Sequence, residues 1–101
     1  MPYHEVKKKH RLLSILRLLA SDHDYSMNDS VLAEALSSLG FGVPRGTLNK
    51  DLVDLEDMEL VTIKKVTDRL TVATITPDGV EVSEGIKTVP GVKRPSPKIG
   101  A

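Results

Sequence analysis

An α+β fold is predicted by the order of two features. Three leucine-rich stretches with helical spacing occupy the first half of the chain, and two runs of β-branched residues follow them. A third feature, the short glycine-containing link Gly40-Phe41-Gly42-Val43, joins the second and third helical stretches closely enough for a helix-turn-helix.

Each element has its own signal. Leu12, Ile15, Leu16 and Leu19, widened by Leu13 and Ala20, form a broad apolar face that predicts an amphipathic helix over 3–21. Leu18 falls outside that face, Lys7, Lys8, Lys9 and Arg11 are expected on the solvated side, and the polar turn Asp22-His23-Asp24 ends the helix. Ser26-Met27 reads as a single extended pair. Asn28 is a suitable N-cap for a second helix over 28–39, with Asp29 in its first turn. Leu32, Ala35, Leu36 and Leu39 form its buried stripe, and Gly40 sits where a left-handed C′ residue belongs. Pro44 suits the first position of a third helix over 44–58, whose core stripe is Leu48, Leu52 and Leu55. Residues 61–66 and 70–76 flank Thr67-Asp68-Arg69 as the two strands of a hairpin. Thr76-Pro77-Asp78 then reads as N-cap, N1 and N2 of a short helix over 77–84, with Gly85 beyond it. Residues 87–101, with Pro90, Pro95 and Pro97, predict an extended, weakly ordered basic tail after a domain of residues 1–86. Three helices followed by a two-stranded hairpin is the order of a winged helix-turn-helix.

Composition bounds the function. A chain of 101 residues makes one small domain, and 40% hydrophobic with 28% charged residues excludes disorder. No apolar run approaches the roughly 18 residues that span a bilayer, and the opening MPYHEVKKKH lacks an apolar signal core. A cytoplasmic protein without membrane contact is expected. The absence of Cys removes disulfides, thiolate zinc sites and cysteine nucleophiles. His4 and His10 lie about 240° apart round a helix and His23 is in a turn, so no metal is expected. No glycine-rich phosphate loop is present, and Ser14, Ser21, Ser37 and Ser38 have no recognisable partner base. Neither catalysis nor a cofactor is expected. With only Tyr3, Tyr25 and Phe41 as aromatics, a stacking platform for single strands is excluded as well.

The pattern Val43-Pro44-Arg45-Gly46-Thr47-Leu48-Asn49-Lys50-Asp51-Leu52, followed by Leu55-Glu56 and Leu60-Val61, resembles winged-helix transcription regulators over about Ser26 to Thr76. The whole chain resembles a closer group, the small winged-helix proteins of Mu-like bacteriophages and prophages, often labelled ArsR-like regulators. The residues carrying that likeness are Leu16-Arg17-Leu18-Leu19-Ala20, Tyr25-Ser26-Met27-Asn28, Leu60-Val61-Thr62, Val72-Ala73-Thr74-Ile75-Thr76 and the ending Val89-Pro90-Gly91-Val92-Lys93-Arg94-Pro95. The resemblance implies a phage or prophage DNA-binding regulator. Three departures accompany it. Pro44 replaces the usual capping Ser, so the third helix loses a side-chain acceptor at its start. Glu59 stands where Gly commonly precedes Leu-Val, which predicts a strained or displaced C-cap. Without Cys, the metal sensing that an ArsR label implies is not carried over.

If the third helix enters a major groove, its opening turns meet base edges. Arg45, Thr47, Asn49 and Lys50 are the expected contacts: Arg reads guanine, Asn reads adenine, and Lys and Thr hold phosphates. Lys64, Lys65 and Arg69 put positive charge on the wing, against the backbone of double-stranded DNA. The total charge is nevertheless zero, with 14 Lys plus Arg against 14 Asp plus Glu. Its distribution is uneven: a basic start over 1–17, an acidic middle over 18–59, and a basic end over 87–101. Asp54 and Asp57 fall on the same outward side as Lys50, so a monomer is expected to bind DNA feebly. A homodimer through the first helix, with Leu18 and with Val80 and Val82 of the last helix, would present two reading helices. The alternative is a protein–protein interaction or assembly module that does not bind DNA, its acidic middle docking a basic phage protein partner.

Overall fold

The computed structural model describes residues 2–96; the end of the expected tail, 97–101, lies outside them. The element order is α1 (Tyr3–Ser21), β1 (Ser26–Asn28), α2 (Asp29–Ser38), α3 (Arg45–Asp57), β2 (Val61–Thr67), β3 (Leu70–Ile75) and α4 (Pro77–Ser83). The strands form one antiparallel sheet in the order β1-β3-β2. Ser26-Met27 is therefore part of a third strand: Ser26, Met27 and Asn28 pair with Thr74, Ala73 and Val72. Three residues carry too little pattern to announce a strand alone; β3 supplies the partner.

The helices begin and end for local reasons. Asn28 caps α2 by accepting the Val31 N–H at 2.9 Å, and Thr76 caps α4 by accepting the Gly79 N–H at 3.0 Å. α2 closes with Gly40 at φ 84°, whose N–H donates to Ser37 O while Phe41 N–H donates to Leu36 O. α3 closes with the same hydrogen-bond pattern, but Glu59 holds the left-handed position at φ 63°. The expected strain is present and the cap is not displaced. The other end of α3 differs from expectation: Pro44 is its N-cap rather than its first helical residue and supplies no side-chain acceptor. Its carbonyl instead accepts Thr47 N–H at 3.0 Å and Leu48 N–H at 3.1 Å.

The core joins Leu12, Ile15, Leu16 and Leu19 of α1 to Leu32 and Leu36 of α2, Leu48, Leu52 and Leu55 of α3, and Leu60, Val61, Ala73 and Ile75 at the sheet. Two expectations change here. Val82 is buried in this core at 2% exposure and Leu18 packs against its edge, so Val82 has no surface to offer a second copy. The segment after α4 also contributes: Val92 is buried at 6% exposure, and Lys93 N–H donates to Lys9 O at 3.2 Å. Val89 and Val92, three apart around Pro90-Gly91, are the apolar pair that seats this stretch against the core.

Polar groups tie α1 to α3. Arg11, expected in solvent, is buried and forks onto Asp51, with Nε to Oδ2 at 2.5 Å and Nη2 to Oδ1 at 3.1 Å. Its neighbour one turn back, Lys8, reaches Asp54 Oδ2 at 2.6 Å. Two of the acids on α3 are thereby matched by the basic start of the chain.

Candidate nucleic-acid interface

The opening turns of α3 and the β2–β3 hairpin stand beside each other because both pack on the same core. In the hairpin, alternation decides which cations face the helix. Val61, Ile63 and Lys65 pair with Ile75, Ala73 and Thr71, and that face carries the buried Val61, Ala73 and Ile75. Lys64 pairs with Val72 on the other face. Past Lys65 the register shifts, Thr67 pairs with Leu70, and Val66 is left as a bulge. The turn is thus the two residues Asp68-Arg69, one shorter than expected, with Arg69 N–H donating to Thr67 Oγ1 at 3.2 Å.

Between α3 and this hairpin lies a concavity of about 520 Å³ lined by Asp29, Arg45, Asn49, Ile63, Lys65, Asp68, Arg69 and Thr71. Four of the seven residues expected to meet DNA are thus brought together: Arg45 and Asn49 from the helix, Lys65 and Arg69 from the hairpin. Thr47, half-buried, and Lys50, exposed, lie on α3 outside its lining, and Lys64 lies on the opposite sheet face. The Asn49 Oδ1 atom is buried and has no hydrogen-bond partner among the described residues. An unpaired buried acceptor is costly unless a ligand or water meets it.

Asp29 and Thr71 were not legible as parts of this site. Asp29 follows an N-cap, where an acid is explained by the helix dipole alone. In the structure its carboxylate is 3% exposed; Oδ1 accepts the Thr71 N–H at 3.3 Å and Oδ2 faces Arg45 Nη1 at 3.4 Å. Arg45 also donates from Nη2 to Ser30 Oγ at 3.4 Å, and its side chain remains 43% exposed. Among the described residues, no cluster of three His, Cys, Asp or Glu could hold a metal ion, and no helix is long and apolar enough to cross a membrane.

Two helices joined by a tight turn, a flanking β-hairpin and a short strand closing the sheet define a winged-helix protein. The chain belongs to the family of the uncharacterized protein gp26 of Escherichia phage Mu, with which it shares 34% identity over 94 residues, 93% of this chain and 96% of that one. No family model matches. Solved structures share the fold at 22% identity. AbsC, a MarR family transcriptional regulator from Streptomyces coelicolor, is similar with a TM-score of 0.62 over 74% of this chain. hsRosR, in the complex structure of hsRosR-S1, is similar with a TM-score of 0.60 over 72% of this chain. The present chain spans 49% of the AbsC chain and 63% of the hsRosR chain.

Proposed function

We propose that the chain is a phage-type DNA-binding transcription regulator, with α3 in the major groove and the hairpin against the flanking backbone. The observation that carries this reading is the concavity shared by Arg45, Asn49, Lys65 and Arg69, which belong to two separate segments. Lys50 holds a phosphate from the outer side of α3, and Thr47 a phosphate nearer the helix start. Lys64 grips from the far face of the wing. A homodimer supplies the second reading helix, through the surface of α1 left by Leu18 together with Val80, which are both half-buried in the single chain. The likeness to a MarR family regulator supports the same class.

The test is a titration of labelled duplex from the neighbourhood of the gene at two salt concentrations. Arg45→Ala with Lys50→Ala should weaken binding at least tenfold, by about 1.4 kcal/mol or more, and flatten the salt dependence. Unchanged binding at low salt overturns the residue assignment. One observation favours the second reading, an assembly module: Val53, Glu56 and Asp57 are exposed together toward the far end of α3. Absence of duplex binding at any salt, with a phage structural protein recovered on co-purification, would establish it instead.

A further inference from the structure

Asp29 does more than begin a helix. Its carboxylate is buried, so its charge needs a partner. The partner is Arg45, which the proposed function places against base edges; the other carboxylate oxygen is bonded to the wing through Thr71 N–H. One side chain on α2 thus touches both halves of the DNA-facing concavity. Arg45 is held along one edge by Asp29 and Ser30 while 43% of its side chain remains open to solvent. A guanidinium reads guanine through a planar pair of donors, which requires that its plane be fixed before contact. A free surface arginine would bind any phosphate equally well.

We propose that Asp29 is a positioning residue that determines specificity: it fixes the Arg45 guanidinium at the mouth of the groove and sets its distance from the wing through Thr71. The inference rests on the DNA-binding reading above. It separates two quantities that a merely structural role would move together. Loss of the Asp29 charge releases Arg45, so discrimination between sequences falls while affinity for random duplex stays level or rises, one negative charge having been removed from the interface.

The experiment uses the full chain and a randomised duplex library, with selection by the wild type, Asp29→Asn and Arg45→Lys. Asp29→Asn keeps the side-chain shape and an oxygen for Thr71 N–H; Arg45→Lys keeps the charge beside Asp29 and loses the planar fork. Each variant should lose about tenfold in preference at one base position while retaining binding to the unselected library. In the free protein, the Arg45 Nε–H signal should collapse toward that of a mobile arginine in Asp29→Asn, with the Thr71 amide still protected from exchange. A wild-type motif that Asp29→Asn selects equally well, or an Arg45 signal that does not move, overturns the positioning role. Should Asp29→Asn fail to fold, Arg45→Lys decides: an unchanged motif overturns the proposal. A wild type that enriches no sequence overturns the DNA-binding reading and the specificity role together, an outcome distinct from either of these.

Discussion

At the scale of single residues, Glu59 holds a conformation that its side chain disfavours. Its φ of 63° completes the turn from α3 into β2, and Thr76 Oγ1 donates to its carbonyl at 2.8 Å, which fastens the turn to the start of α4. A non-glycine residue in this region costs on the order of 1–2 kcal/mol, partly offset by the greater chain entropy that glycine loses on folding. Glu59→Gly should therefore raise stability by about 1 kcal/mol in urea denaturation, with an unchanged dependence on denaturant. Gly79 is the opposite case. A Cβ there would overlap Leu60 O and Ile75 Cγ1, backbone and core atoms that have nowhere to move. Gly79→Ala should destabilise by about 2–3 kcal/mol in the same measurement. Lys87 gives a pH signature. Its hydrogen bond to Asp78 at 3.0 Å, and then the Asp78 charge, raise its pKa above 10.5. A raised lysine pKa adds stability below the unfolded value and loses it as pH climbs through the folded value. The difference in melting temperature between wild type and Lys87→Met should hold steady up to about pH 10 and close above it.

At the scale of elements, the contact between α1 and α3 shows which parts of a sequence disclose themselves. The leucine stripes and the caps at Asn28, Gly40 and Thr76 were readable because each depends on neighbours within one or two turns; Leu39, read into the α2 stripe, is instead the exposed residue at its C-cap. Arg11 was not. It lies at the edge of the apolar face of α1, where a charged side chain is ordinarily solvated, and its partner Asp51 is forty positions away. A signal did exist, since Asp51 falls between Leu48 and Leu52 on the buried stripe of α3, an unlikely place for an unmatched acid. The candidate site divided in the same way. Arg45 and Asn49 were legible from their place on α3, whereas Asp29 and Thr71 join the concavity only through the pairing of α2 with β3. The sheet face of Lys64 depended on a register that the turn length alone left open. For the buried pair, Arg11→Met should cost about 3–5 kcal/mol, because Asp51 would remain buried without its countercharge. Adding Asp51→Leu should recover most of that loss, and a double-mutant cycle in urea measures the coupling. Lys8→Ala, which removes a pair with 39% and 29% exposed side chains, should cost less than about 1 kcal/mol.

At the scale of the whole molecule, folding settles part of the uneven charge of the chain. The basic start lies on the acidic middle through Lys8–Asp54 and Arg11–Asp51, and Lys87 of the basic end meets Asp78. Those cations are committed within the chain; among the described residues, Arg17, Lys93 and Arg94 gather at a second concavity, and the proposed function assigns the duplex to the α3–wing concavity and its rim. Lys65 and Arg69 line it, Lys50 stands on the outer side of the helix and Lys64 on the far face of the wing, the four cations proposed for the phosphates. If each neutralises one phosphate, the logarithm of affinity should fall with the logarithm of salt at a slope of about −3.6 per chain, and about twice that for a dimer. Between 50 and 200 mM salt a single chain should then weaken roughly 150-fold. Arg45→Ala with Lys50→Ala should reduce the slope by about 1, through the phosphate that Lys50 holds, whereas Lys8→Ala, on the internal side, should leave it unchanged. Fluorescence titrations at four salt concentrations distinguish these outcomes, with sedimentation of the same samples fixing the number of chains per duplex. A slope near zero in the wild type would mean that the concavity meets no phosphate, and a slope reduced by Lys8→Ala would place the duplex on α1 instead.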